Sequence, residues 1–432
     1  MPDMPAGLSR EQWMWRWRVL IATYLAYAGY YLCRKVFTIC KPVLSEELGV
    51  TYNQIAHIWA VYLLAYMVGQ FLCSFLGRRK GSRLLLLVGL GISILINVGF
   101  GMANSYWTFL AFMLFNGLVQ ASGWPGVVGG VSEWLRKHER GLIMGVWSTS
   151  YLIGNLTVKF LGGLLLDRYG WRWSFFGCTL LSFAIWWVIY FWQRNKPEDV
   201  GLERIVAPEE EDLRAVRASR ERRVTLRDYV RLAVNPVILA MGISYFCVKF
   251  VRYALDSWLP TFLTLMELNP GQAAYYSTLF DIGGIIPAVL AGWALDKLFK
   301  GDWAKLCLLM AVGMILGYLL VLLYETSPIA VAISFGLVGF MVYGPDTVLC
   351  GAAAVQVAGE ENGVAVAGIV NGIASAGPVF QEVIIGYLLR GDAASGMHNA
   401  NLLGLGLCLA FSLFMLSVML ALRTSQRKDQ LE

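Results

Sequence analysis

About twelve apolar segments recur along the sequence, each near the length that a helix needs to cross a bilayer, roughly 20 residues. Their centres lie near residues 29, 67, 93, 114, 152, 182, 246, 282, 313, 337, 374 and 411. The composition agrees, because 57% of the 432 residues are hydrophobic and 15% are charged, whereas soluble domains are about 25% charged. The sequence therefore predicts an all-α membrane protein with twelve transmembrane helices. It argues against a soluble enzyme, whose core could not hide so much apolar surface.

The short loops between these segments differ in positive charge. Basic loops follow the second, fourth, eighth and twelfth segments, with Arg78, Arg79, Lys80 and Arg83, then Arg136, Lys137 and Arg140, then Lys297, Lys300 and Lys305, then Arg423, Arg427 and Lys428. The ranges Ser45–His57, Ala103–Trp107 and Met266–Gln272 contain no Lys or Arg, although Arg168 and Arg172 fall on the same side as these. By the positive-inside rule the asymmetry predicts that both termini are cytoplasmic. The net charge of +6 then reflects orientation in a lipid bilayer, and no nucleic-acid partner is expected.

One long polar stretch divides the chain into halves. We predict an N-terminal six-helix bundle over residues 1–193, a cytoplasmic linker over 194–234 and a C-terminal six-helix bundle over 235–432. The halves resemble each other, because the first segment of each carries a deep arginine and a basic loop follows the second segment of each. Two pseudo-symmetric bundles of this kind are typical of secondary transporters.

The two deep arginines, Arg34 and Arg252, are the strongest candidates for a binding site. A charge at the bilayer centre costs about 2.5–3.5 kcal/mol on insertion scales, so that it needs a functional reason. A guanidinium can bind two oxygens of a phosphate or carboxylate at once. We expect the two arginines to face each other across the pseudo-two-fold axis and to clamp a dianion such as a phosphate monoester. The alternative is that each pairs with an acid such as Asp256 or Asp281.

Tyrosines accompany the first of these arginines. Tyr27 and Tyr31 precede Arg34 by seven and three residues, which places all three on one helical face. Their hydroxyls could bond phosphate or sugar oxygens. Packing is the alternative role, and the position beside an arginine favours the binding role.

Two lysines are further candidates. Lys35 points about 100° around the helix from its neighbouring arginine, and Asp281 is its expected partner, either in a bridge that opens during transport or in a static ion pair. Lys159 follows Tyr151 and Asn155 at spacings of eight and four, which predicts a polar stripe along the fifth helix. Lys159 could instead extend toward the membrane interface.

Short motifs in both halves carry a resemblance to a known family. The motifs are Tyr30–Lys35 (YYLCRK), Gln120–Pro125 (QASGWP), Glu139–Gly141 (ERG), Pro197–Leu202 (PEDVGL), Arg252–Tyr253, Trp258–Thr261 (WLPT), Gly283–Gly284, Gly292–Phe299 (GWALDKLF) and Tyr343–Pro345 (YGP). In this order the chain resembles the organophosphate:phosphate antiporter family, which belongs to the major facilitator type. The resemblance implies that Arg34 and Arg252 take the substrate phosphate and that Lys35 pairs with Asp281. It also implies exchange against inorganic phosphate, without ATP or cofactor, and the sequence contains no GxxxxGK[ST] loop.

Departures from the family pattern leave the organic part of the substrate open. Gln70 and Tyr151 stand where glycerol-3-phosphate carriers have a lysine and a histidine, and Arg78 replaces a usual acid. Glu382 and Asp346 are unusual in an anion cavity and could contact a hydroxyl, an amine or a proton, or could pair with Lys249 or Lys159. Glu382 and Tyr343 of the Tyr-Gly-Pro motif complete the candidate substrate-binding residues.

The predicted function is exchange of a small phosphorylated organic anion for inorganic phosphate by a monomer in the bacterial inner membrane, through alternating access. Proton-coupled transport of another organic anion, such as a polycarboxylate or phosphonate, is one alternative. A membrane sensor of sugar phosphates, with the linker as its contact surface, is another. An enzymatic role is not expected, since the three histidines lie near helix ends or loops and no nucleophile–base set is visible; they are His57, His138 and His398.

Overall fold

The computed structural model describes residues 8–135, 143, 147, 149–205, 231–350 and 352–429, without some side chains, including those of 71–80 and 358–365. Every regular element in these ranges is a helix. Most of the predicted linker and the ERG motif lie outside the described residues. The predicted domain boundaries at residues 193 and 235 therefore stay predictions.

The helices of the first half follow one another with short connections. They are α1 Arg10–Glu47, α2 Tyr52–Lys80, α3 Ser82–Met102, α4 Tyr106–Gln120, α5 Gly123–Ser132, α6 Ser150–Thr157, a π-helical turn Val158–Gly162, α7 Gly163–Tyr169 and α8 Trp171–Trp192. A short 3₁₀ helix, Pro197–Val200, follows. The helices of the second half are α9 Pro236–Leu265, α10 Pro270–Tyr276, α11 Thr278–Lys297, α12 Trp303–Leu323, α13 Pro328–Cys350, α14 Ala352–Ala374, α15 Ala376–Leu388 and α16 Ala393–Asp429.

Each of the twelve predicted segment centres lies within one of these helices. Seven helices in the described ranges are long and apolar enough to cross a membrane by length and composition alone. The long helix α1 is less apolar than these because its central turns carry Tyr27, Tyr30, Tyr31, Arg34 and Lys35. A bilayer accepts such segments because a helix satisfies its own backbone hydrogen bonds. The prediction of an all-α membrane protein is confirmed.

Local sequence signals account for several helix starts. Ser9 and Gln12 form a capping box at the start of α1, in which each side chain accepts from the other residue's backbone N–H. Asn235 caps α9, where Pro236 occupies the first helical position. Asp302 caps α12 by accepting from the backbone N–H of Lys305. These caps fix where the apolar segments begin.

The chain forms two compact units. In the described ranges, unit 1 contains residues 8–50, 57–205 and 270–275, and unit 2 contains 51–56, 231–269 and 276–429. Each unit thus includes a short segment from the other half of the sequence. In unit 2, Ala56 is fully buried in an apolar cluster with Phe250, Trp258 and Ile385. In unit 1, the backbone N–H of Gly271 donates to Asp167 Oδ1 at 2.8 Å.

Candidate functional site

In unit 1, Arg34 lies in a cage of tyrosine rings. The side chain is 8% exposed, and its guanidinium carbon lies 4.0 Å from the ring centre of Tyr31, 5.5 Å from that of Tyr66 and 5.8 Å from that of Tyr27. The faces of these rings attract the cation. Nε and Nη2 are buried and have no hydrogen-bond partner among the side chains that the structure describes. The guanidinium in this cage therefore has two nitrogens, Nε and Nη2, that donate to no described side chain.

Two amide side chains on α4 brace the turn of α1 that carries this arginine. Asn116 Nδ2 donates to the carbonyl of Cys33 at 3.2 Å, and Gln120 Nε2 donates to the carbonyl of Tyr30 at 3.1 Å. Ser93 joins the two amides by donating to Asn116 at 2.6 Å and accepting from Gln120 at 2.7 Å. Asn116, Gln120 and Ser93 are fully buried. Such a connected polar network fixes one arrangement of the helices.

Helix α6 approaches α1 closely beside the cage. A Cβ on Gly154 would lie 2.7 Å from Tyr31 Cβ and 2.9 Å from the carbonyl oxygen of Ala28, so that only glycine fits without a shift. The ring of Tyr151, one turn earlier on α6, lies 5.9 Å from that of Tyr31. The close approach therefore extends the aromatic cage by one more tyrosine.

The stripe predicted along the fifth helix is interrupted before its last member. Asn155 is buried on α6, but Lys159 lies in the π-helical turn. A π-turn forms i→i+5 hydrogen bonds, so the regular α-helical spacing that the predicted stripe assumes ends before Lys159. Lys159 is 1% exposed and lines a cavity of about 500 Å³ together with Asp167 and Gln272. It does not extend to the surface.

The charged side chains buried in unit 1 share one sign. Among the described residues of this unit they are all basic; they are Arg16, Arg34, Lys35, Lys41 and Lys159. The ammonium of Lys35, for example, lies 5.4 Å from the ring centre of Trp59. Buried cations that outnumber buried anions favour an anionic ligand.

In unit 2, Arg252 is engaged by an acid. Its Nη1 donates to Asp346 Oδ2 at 2.5 Å, and the two side chains are 16% and 13% exposed. The guanidinium carbon lies 4.5 Å from the ring centre of Tyr343 and 5.5 Å from that of Tyr253. The other carboxylate oxygen, Asp346 Oδ1, is buried and accepts no hydrogen bond from the described side chains. Arg252 thus pairs with an acid on α13.

Two other charged groups of unit 2 have neutral hydrogen-bond partners. Lys249 Nζ donates to Asn371 Oδ1 at 2.7 Å and to Ser375 Oγ at 3.3 Å. Glu382 is fully buried and accepts from Ser257 Oγ at 2.9 Å, and also from Gln381 Nε2 at 3.1 Å. The buried and half-buried charges of this unit are therefore mixed in sign, in contrast to those of unit 1.

The structure brings some of the predicted residues together. Tyr27 and Tyr31 share a face with Arg34 as predicted, Tyr151 joins them through Tyr31, and Tyr343 packs on Arg252. Gln70 on α2 is exposed. Lys35 belongs to unit 1 and Asp281 to unit 2, and both are buried.

Sequence reasoning missed two members of these clusters. Tyr66 was not selected, although it lies four residues before Gln70 on the same helix. Asp346 was noticed only as an unusual acid, with Lys249 or Lys159 as its possible partner. Its signal was a carboxylate inside an apolar segment, directly after the Tyr-Gly-Pro motif.

Comparisons with known proteins agree with the helical fold. The model of the Major Facilitator Superfamily matches residues 23–382. A probable hexose phosphate transport protein of Chlamydia pneumoniae is 28% identical over 79% of this chain and 78% of its own length. The membrane sensor protein UhpC of Salmonella typhimurium is 28% identical over 80% of this chain and 79% of its own. A bacterial homologue of the human lysosomal transporter Spinster, solved in an inward-facing, occupied conformation, aligns with a TM-score of 0.71 at 14% identity, covering 94% of this chain and 97% of that one.

Proposed function

Because the chain belongs to the Major Facilitator Superfamily, we propose that it is a secondary transporter that exchanges a small phosphorylated organic anion for inorganic phosphate. Alternating access is the mechanism of this exchange. The protein acts without ATP or a cofactor, as a monomer in the bacterial inner membrane with both termini in the cytoplasm. Arg34 and Arg252 bind the phosphoryl group.

The proposal rests on the buried nitrogens of Arg34 that have no hydrogen-bond partner among the described side chains. A buried guanidinium with unmade hydrogen bonds is costly, and the nearest rings attract the cation but accept no conventional hydrogen bond. A phosphate monoester supplies three acceptor oxygens and a charge of about −1.5 to −2 at neutral pH. Its oxygens would satisfy Nε and Nη2 together, which is the bidentate geometry that distinguishes arginine from lysine.

The charge of unit 1 supports exchange over one-way release. Among the described residues, its buried charged side chains are all basic. A bound dianion offsets that charge, so the loaded protein changes conformation more readily than the empty one. Each conformational step then needs an anion, which makes inorganic phosphate a suitable exchange partner for an organic phosphate.

The relatives support the chemical class of the substrate. One is named a probable hexose phosphate transport protein, and phosphoryl recognition by arginine does not depend on the sugar. The candidate residues Tyr27, Tyr31, Tyr151 and Asn155 could then contact the organic part, with Lys35 and Lys159 adding positive charge.

Phosphate exchange in proteoliposomes tests the proposal. Vesicles preloaded with phosphate should take up labelled phosphate when they contain the wild type. Arg34→Lys and Arg252→Lys should lose most of this exchange, because lysine keeps the charge but cannot bind two phosphate oxygens at once as a guanidinium does. Arg204→Lys is the matched control, since Arg204 is an exposed partner of Glu198. No exchange by the wild type would refute the proposal, and uptake driven by a proton gradient would then favour transport of another organic anion.

A sensor is the second candidate function, because UhpC is named a membrane sensor protein. In this case the linker would contact a signalling partner. Deletion of residues 205–225 should abolish signalling and spare phosphate exchange if the chain is a sensor. Loss of both activities, or of neither, would contradict a sensor role.

A further inference from the structure

We propose that the Arg252–Asp346 pair of unit 2 selects substrates that carry a cationic amine as well as a phosphoryl group. The substrate class is that of aminoalkyl phosphates or phosphonates with two or three carbons between the charged groups. This inference rests on the proposed function and names the organic part of its substrate.

The geometry of the pair shows what a phosphate must displace. Arg252 Nη1 is bonded to Asp346 Oδ2 at 2.5 Å, so a phosphoryl group that engages this nitrogen competes with a carboxylate. The competition differs from the situation in unit 1, where Arg34 forms no ion pair with a described acid. A phosphate ester can therefore bind at Arg34 without breaking an ion pair, whereas at Nη1 of Arg252 it must displace Asp346.

Charge pairing determines which ligands can displace the Asp346 carboxylate from Arg252. If a neutral-tailed phosphate takes Arg252, Asp346 is left as a largely buried carboxylate without a counter-charge, which is strongly unfavourable. If the tail carries an ammonium, that group pairs with Asp346 while the phosphoryl group pairs with Arg252. One ion pair is then exchanged for two, and no charge is left uncompensated.

The surroundings of Asp346 suit an ammonium. Oδ1 is buried and accepts no hydrogen bond from the described side chains, so it can accept from an ammonium, which has three donors. Tyr343 and Tyr253 present rings at 4.5 Å and 5.5 Å from the neighbouring guanidinium carbon. Aromatic faces at this distance also attract an alkylammonium.

Two other charged side chains of unit 2 have hydrogen-bond partners of their own. Glu382 already accepts hydrogen bonds from Ser257 and Gln381. Lys249 donates to Asn371 and Ser375. An amine on the substrate would meet its counter-charge at the Arg252–Asp346 pair.

Competition between two nearly isosteric ligands tests the inference. The purified full-length protein in nanodiscs is loaded with labelled inorganic phosphate, which is displaced by 2-aminoethyl phosphate or by 2-hydroxyethyl phosphate. We expect 2-aminoethyl phosphate to displace labelled phosphate at a roughly 30-fold lower concentration than 2-hydroxyethyl phosphate. This ratio corresponds to the low end of the free-energy cost of leaving a buried charge unpaired. Asp346→Asn should reduce this preference to within a few-fold, and Asp346→Glu should retain most of it.

Controls separate the possible failures. Glu325→Gln, which alters a carboxylate bonded to His398 on the exposed side of unit 2, should keep the preference, and thermal unfolding verifies that each variant is folded. Equal competition by the two ligands, or failure of both while labelled phosphate still binds, would overturn the amine inference and leave phosphate exchange intact. Failure of the wild type to bind labelled phosphate would refute the proposed function itself. If Asp346→Asn proves unstable, the wild-type ratio and Asp346→Glu still decide the outcome.

Discussion

Replacing Gly154 by alanine should disturb the tyrosine cage without touching any charged group. The added Cβ would lie 2.7 Å from Tyr31 Cβ, 2.9 Å from the carbonyl oxygen of Ala28 and 3.0 Å from its Cα. Two of these three atoms belong to the backbone of α1 and cannot rotate away. Helix α6 and the turn of α1 that carries Tyr31 must therefore separate.

The size of the effect follows from these distances. Ordinary Cβ contacts begin at 3.4 Å, so the gap to Tyr31 must open by 3.4 − 2.7 = 0.7 Å. Overpacking of this kind costs about 1–3 kcal/mol of stability. Tyr31 lies directly against the guanidinium of Arg34, and a misplacement of about 1 Å near a reacting or binding group can reduce a rate by about 100-fold. We expect phosphate exchange to fall by roughly 10- to 100-fold.

Exchange of labelled phosphate in proteoliposomes and thermal unfolding in detergent measure the two effects. Gly406→Ala on α16 is the matched control, because a Cβ there meets nothing within 4 Å; it should leave both quantities near the wild-type values. Gly154→Ala with wild-type exchange and wild-type stability would refute the conclusion that this close approach positions the cage. Loss of stability with full exchange would refute the link from Tyr31 to function.

Two further predictions concern the brace of unit 1 and a helix start of unit 2. Gln120→Leu removes the hydrogen bonds to the carbonyl of Tyr30 and to Ser93, and should lower stability by about 1–3 kcal/mol in denaturant unfolding; an unchanged unfolding midpoint would contradict the brace. The hydroxyl and backbone N–H of Ser395 bond to Asp392 and lower the pKa of that carboxyl, so its stabilising effect is present above the ordinary pKa and is lost as the pH falls through the lowered one. Asp392→Asn should therefore flatten the acid limb of the stability profile, and a profile identical to that of the wild type would contradict this assignment.

Much of the architecture was predictable because its signals are local. Each predicted segment centre falls in a helix, since a run of apolar residues of sufficient length specifies a membrane helix without reference to the rest of the chain. The shared face of Tyr27, Tyr31 and Arg34 was equally predictable, because spacings of three and four fix neighbours on one helix.

The rest of the candidate site depends on contacts that spacing cannot reveal. Asp346 lies 94 positions from Arg252, and its choice as partner depends on how α13 packs against α9. Tyr66 reaches Arg34 because of the rotation of α2 about its own axis. The apolar residues of α2 are spread around the helix, so the sequence does not specify this rotation. The π-helical turn that contains Lys159 inserts a residue into a regular repeat, and nothing in the local sequence distinguishes it from an α-helix.

The segment 51–56 has a consequence for any attempt to divide the chain. Tyr52 packs against Trp258 with ring centres 6.4 Å apart, and a Cβ on Gly386 would lie 2.3 Å from Ala56 Cβ. A fragment that begins in the polar stretch would therefore lack residues 51–56, which pack into its apolar core. Fragments made separately should aggregate or require each other's presence from synthesis onward, so a split version for complementation assays must be co-expressed, or must carry a copy of residues 51–56 fused to the second fragment.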